Sequence, residues 1–166
     1  MDAWQQIGAT LIAEFSDLPD AAEATRVTLR LTVAALLGGL LGFEREMKGK
    51  DAGVRTHMLV ALGAALFVLV PEQMGVSDAD LTRVVQGIIA GIGFLGAGTI
   101  IKRATEDHVR GLTTAAGIWL TAAIGVAAGQ GREATALLSA LLAFGILWAM
   151  PRLLSAIGLD NDNKGS

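Results

Sequence analysis

Cysteine and tyrosine are absent from this chain of 166 residues, and proline occurs only 3 times. Without cysteine there is no disulfide framework, no thiolate metal site and no thiol nucleophile. Charge is scarce as well: 17% of residues are Asp, Glu, Lys or Arg, against about 25% in an ordinary soluble domain. Together with a mean hydropathy of +0.54, that scarcity excludes a disordered chain, a nucleic-acid binder and a coiled coil. Catalytic signatures are missing too. His57 and His108 read as loop residues without metal-ligand spacing, and no HExxH, phosphate-cradling loop or nucleophile triad is present.

What is present is apolar sequence in five runs: Val27–Phe43, Met58–Val70, Val84–Ile101, Leu112–Ala128 and Ala134–Met150. Four of them reach the roughly 17–25 residues that a helix needs to cross a bilayer. The second does so as Val54–Pro71, with Arg55 and His57 at headgroup level. The runs predict an all-α fold, a polytopic membrane bundle of five transmembrane helices. Ahead of them, Trp4, Ile7, Leu11 and Phe15 recur at helical spacing. They predict an amphipathic N-terminal helix on the membrane surface, with a partly ordered leader as the alternative. The start lacks the basic region and cleavage site of a signal peptide. The organisation that follows is an amphipathic segment at 1–20, a transmembrane domain at 21–152 and a short cytoplasmic tail at 153–166.

Loop charge sets the orientation. Arg45, Lys48, Lys50, Arg55, Lys102, Arg103, Arg110, Arg152 and Lys164 fall on one side, and Arg26, Arg30, Arg83 and Arg132 on the other. The positive-inside rule then places the N-terminus outside and the C-terminus in the cytoplasm. Local signals mark the boundaries. Asp20 and Glu23 read as a capping box, Pro71 as the end of the second span, and Gly129-Gln130-Gly131 as a tight hairpin. Pro151-Arg152 closes the fifth span just after Trp148, an interface anchor.

The 21 glycines are the second feature. Gly38 and Gly42, Gly87 and Gly91, and Gly125 and Gly129 form small-xxx-small pairs, which let helices approach closely. Thr114, Gly117, Thr121 and Gly125 make a weakly polar stripe, open to two readings: helix packing or a water-lined path. Gly91, Gly93, Gly96 and Gly98 crowd the third span, for close packing or as a broken helix. They include a G-x-G-x-x-G match, a false positive because no strand precedes it. Spans one and two also compare with three and four. Each unit runs glycine-rich helix, basic loop, Val-Arg and Ala/Thr-rich helix, which points to a parallel hairpin repeat.

No Asp or Glu lies inside the five runs, which argues against a metal site, Mg²⁺ included, at the bilayer midplane. Glu44 instead ends the first span at the negative end of the helix, an unfavourable place for a carboxylate. An ion pair with Arg55 or Arg110 would account for it, as a rigid staple or a recognition surface.

At these residues the chain resembles the MgtC/SapB family of bacterial inner-membrane proteins. Three blocks carry the likeness. They are Gly42-Phe43-Glu44-Arg45-Glu46 with Ala52-Gly53-Val54-Arg55-Thr56, then Gly91 through Gly98, and Val109-Arg110-Gly111-Leu112-Thr113-Thr114 through Trp119 to Gly125. The resemblance implies a non-enzymatic multi-pass protein, without cofactor, linked to magnesium homeostasis, low-magnesium growth and virulence. It implies a modulator of another membrane complex, with ATP synthase or a magnesium transporter as the partner. The alternative is a transporter or channel for Mg²⁺ or another cation. Glu44, Arg45, Arg55, Thr56, Arg110, Thr113, Thr114 and Trp119 are the expected motif residues. Besides lipid, the expected partner is a second copy, in a homodimer or small homo-oligomer. No nucleic acid is expected.

Overall fold

The computed structural model describes residues 2–18, 20–100 and 110–158. The expectations placed on Lys102, Arg103, His108 and Lys164 lie outside them. The described residues form α1 (Ala3–Glu14), α2 (Ala21–Met47), α3 (Val54–Gln73), α4 (Asp78–Thr99), α5 (Leu112–Gly129) and α6 (Glu133–Ala156). The five helices from α2 to α6 are each long and apolar enough to cross a membrane. This is the all-α bundle that the apolar runs predict.

Helix ends follow from short polar signals. The Asp20 carboxylate accepts the Glu23 N–H at 2.8 Å and opens α2. The Glu23 side chain does not complete the box; it pairs with Arg26 and accepts from Gln73 Nε2 at 3.1 Å. Ser77 caps α4 by accepting the Asp80 N–H at 3.2 Å. At the other ends Gly49, Gly75 and Gly131 adopt φ of 62°, 71° and 70°. Each lets the chain reverse while its amide and the next one bond back to the last turn, as with Gly131 to Ala128 O and Arg132 to Ala127 O.

The prolines do not stop their helices. Pro71 lies inside α3, which runs on to Gln73, and Pro151 lies inside α6, which runs on to Ala156. In the last turns of a helix a proline removes few bonds. The Leu147 carbonyl, four residues before Pro151, is taken up by Lys48 Nζ at 2.8 Å.

Small residues hold the core together. Ala34, Leu37 and Leu41 of α2 meet Ala61 and Ala65 of α3, with Ile124 and Ala128 of α5 and Ala136, Ala140 and Ala143 of α6. α2, α3 and α5 therefore pack closely as a trio, and α6 lies against α2 and α5. α4 is a continuous helix through its four crowded glycines, not a broken one. It leans on α5 and α3 and buries only Gly96. α1 packs against none of the described helices and buries no residue; Trp4, Ile7, Leu11 and Phe15 are all exposed.

Candidate functional site

The polar chemistry of the bundle gathers where α2 ends and α3 begins. Glu44 and Arg45 are 5% and 3% exposed, and His57 is wholly buried. Arg45 Nε donates to Glu44 Oε2 at 2.5 Å, and Lys48 Nζ sits 2.5 Å from Glu44 Oε1. That contact is an ion pair without hydrogen-bond geometry, so Glu44 Oε1 has no directed donor. One carboxylate thus holds two cations, Arg45 in the last turn of α2 and Lys48, the residue that caps it. Lys48 also reaches the Leu147 carbonyl and ties the end of α2 to α6.

This corrects the expected staple. Glu44 pairs with Arg45 and Lys48, not with Arg55 or Arg110. An (i, i+4) cation on the same helix is reached without the ordering of a second element. Arg55 is exposed and makes no ion pair among the described residues, and Arg110 is exposed too. Glu46, the next acid, accepts the Val54 N–H at 2.8 Å. There it satisfies an open donor at the positive end of α3.

His57 is a second correction. It lies in the first turn of α3 and in the core, not in a loop. Its Nδ1 donates to the Gly53 carbonyl at 2.9 Å, while its buried Nε2 has no partner among the described residues. Glycines make room for it. A Cβ on Gly42 would lie 2.7 Å from Val54 Cα and 3.0 Å from His57 Cβ. One on Gly38 would lie 2.5 Å from the His57 carbonyl, and one on Gly117 would lie 3.5 Å from Nε2.

The α5 stripe resolves into packing. Thr114 and Thr121 are buried, and the Thr121 hydroxyl donates to the Gly117 carbonyl at 2.8 Å. Gly125 is pressed on the Ala61 backbone, and a Cβ on Gly129 would lie 2.5 Å from the Ala65 carbonyl. The other α4 glycines behave differently. Gly96 faces Ala115 at 3.6 Å, but Gly87, Gly91, Gly93 and Gly98 have nothing within 4 Å. Of the remaining motif residues, Thr113 is exposed. Thr56 lines a cavity of about 240 Å³ with Asp51 and Thr99. Trp119 lines an apolar groove with Val85 and Ile92.

At the opposite end Arg30, which reads from sequence only as a loop cation, clasps three elements. Its Nη1 donates to Glu72 Oε2 at 2.9 Å and to the Gly129 carbonyl at 3.0 Å.

The sequence profile of the MgtC family matches residues 31–156, which include Glu44, Arg45, Lys48, His57 and every residue of the buried core cluster, and begin one residue after Arg30. The chain belongs to the MgtC family. Among curated relatives, SrpB of Synechococcus elongatus is 46% identical over 63% of this chain and 64% of its own length. A protein named as a candidate magnesium transporter, YhiD of Escherichia coli K12, is 44% identical over 62% of this chain and 50% of its own. The protein MgtC of Brucella suis biovar 1 is 52% identical over 61% of this chain and 41% of its own. The matches therefore span about half the length of these relatives. No solved structure matches this MgtC-family chain. Sequence reasoning missed His57, Lys48 and Arg30 as parts of the site. A signal for the first was available: His57, Ala61, Ala64 and Val68 recur at 4, 3 and 4, one buried stripe of α3.

Proposed function

We propose that this MgtC-family chain is a non-enzymatic protein of the bacterial inner membrane that serves magnesium homeostasis by modulating another membrane complex. ATP synthase or a magnesium transporter is the proposed partner, in keeping with the family resemblance. The observation that carries this reading is the contrast between the two glycine sets. The α2–α3–α5 core is closed by glycine-to-backbone contacts, with Thr121 and Ile124 buried inside it. Gly87, Gly91, Gly93 and Gly98 of α4 are left open, as surfaces for another helix. Flux of Mg²⁺ into liposomes containing the purified protein is the decisive test. The expected result is no flux above protein-free vesicles, and a saturable, protein-dependent flux would favour the second reading, a cation transporter. The name of the YhiD relative is what favours that alternative.

Self-association belongs to the same proposal. Gly87→Leu and Gly91→Leu fill the open face and are expected to weaken a homodimer in cross-linking and sedimentation. An unchanged oligomer in both variants would place the contact elsewhere.

The proposed orientation puts the N-terminus outside and the C-terminus in the cytoplasm. In this cysteine-free chain Val76→Cys, between α3 and α4, should react with an impermeant maleimide added outside intact cells. Lys50→Cys, between α2 and α3, should react only after lysis. The reverse pattern would invert the topology.

A further inference from the structure

The last turns of α6 carry a feature that the proposed role does not use. Pro151 has no N–H, so the Leu147 carbonyl lacks its helical donor and takes Lys48 Nζ of α2 instead, at 2.8 Å. The next carbonyl, that of Trp148, takes Arg152 Nη1 at 2.6 Å. Two cations from two helices are thereby held at adjacent carbonyls of one turn. The Arg152 guanidinium also lies 4.0 Å over the Trp148 ring. Arg152 is exposed and faces no carboxylate among the described residues.

The acids at the end of α2 have partners of their own. Glu44 is shared by Arg45 and Lys48, and Glu46 accepts the Val54 N–H. Arg152 itself has no carboxylate partner among the described residues, so its positive charge is uncompensated on this turn. It sits beside a tryptophan that is 48% exposed, at the end of a helix that crosses the membrane. Trp and basic residues gather at this depth because ring and cation both suit the headgroup layer.

The same face of α6 continues toward the bilayer interior. Leu138, Leu141, Gly145, Trp148 and Arg152 follow at 3, 4, 3 and 4, one stripe of the helix. Leu138 and Leu141 are exposed, and Gly145 has nothing within 4 Å of where its Cβ would be. The stripe is cationic at its end, aromatic next, notched at the glycine and aliphatic below. That is the sequence of surfaces along a phospholipid, from phosphate through glycerol to acyl chain. Basic pockets between membrane helices bind anionic headgroups in this way.

We propose that Arg152, with Lys48 of α2 behind it, holds the phosphate of an anionic phospholipid whose acyl chain runs past Gly145 along Leu141 and Leu138. Arg152 supplies the free guanidinium donors, and Trp148 fixes the plane of that guanidinium. The occupant is a lipid rather than free phosphate, because the aliphatic stripe continues directly from the cation.

The test uses the full chain with Trp4→Phe and Trp119→Phe, which leaves Trp148 as the one indole. It is reconstituted in phosphatidylcholine vesicles that contain brominated-chain phosphatidylglycerol or, in parallel, brominated-chain phosphatidylcholine at the same mole fraction. Quenching of Trp148 should show a relative association constant for the glycerol lipid higher by about fivefold, the size expected of one interfacial cation. Arg152→Gln should remove that preference while quenching by brominated phosphatidylcholine stays the same, which reports unchanged insertion. Arg152→Lys should retain part of it. Equal quenching by both lipids, or a preference that survives in Arg152→Gln, would overturn the site. Loss of the preference on adding inorganic phosphate, at constant ionic strength, would overturn the lipid as occupant in favour of a free anion.

Discussion

Glu44→Gln is expected to lower stability by about 3–5 kcal/mol, the cost of removing one partner from a buried ion pair. The reason lies in what stays behind. Arg45 remains 3% exposed with its counter-charge gone, and Lys48 loses the carboxylate that steadies it at the Leu147 carbonyl. Unfolding of the purified protein in mixed detergent and dodecyl sulfate would measure the loss. Arg55→Gln is the control, since Arg55 is exposed and outside any ion pair among the described residues; it should shift stability by no more than about 0.5 kcal/mol. Glu44→Gln combined with Arg45→Met should recover part of the loss, because the second change removes the stranded charge. Equal stability of Glu44→Gln and Arg55→Gln would show that the carboxylate does not neutralise the end of α2.

Gly125→Ala and Gly87→Ala are the same substitution with opposite expected signs. At Gly125 the added methyl would meet the Ala61 backbone on α3. Backbone cannot rotate aside as a flexible side chain can, so α5 must move off α3. Overpacking of this kind costs about 1–3 kcal/mol, occasionally more. At Gly87 the methyl meets nothing within 4 Å, and alanine favours the helix by up to about 1 kcal/mol. The same unfolding assay reads both, with the monomer kept dilute so that association does not enter. A neutral Gly125→Ala would mean that the α3–α5 contact is looser than the backbone distances imply.

Five spans, their order and the turn at Gly129-Gln130-Gly131 were legible because they depend on local composition and on single glycines. Asp20 as the cap of α2 was legible for the same reason. The site was harder to read. Its charges were visible, but the choice of partners for Glu44 depended on geometry that composition does not carry. Sequence pointed to Arg55 and Arg110, and the partners are instead Arg45 and Lys48, one and four residues along from Glu44. His57 was hidden by its neighbours: Arg55 beside it is exposed, and the pair reads as a headgroup layer. A helix turns by about 100° per residue, so two positions on, His57 points the opposite way into the space left by Gly38 and Gly42. The glycine pairs looked alike in sequence. Only the placement of α4 at the edge of the bundle distinguishes Gly87 and Gly91 from Gly125 and Gly129.

The Lys48–Leu147 bond bears on how α6 finds its height against α2. Among apolar helices in lipid, sliding by one turn exchanges one set of alanine contacts for another at little cost, so vertical alignment is poorly specified. Every interior carbonyl of α6 is already satisfied by its own helix, except where proline withholds a donor. Leu147 is therefore the rung of α6 that proline leaves without a backbone donor, and Lys48 is seated on it. A shift of one turn would leave the Leu147 carbonyl without a donor and Lys48 with Glu44 alone. Pro151, usually a disruption, here indexes the last span to the first.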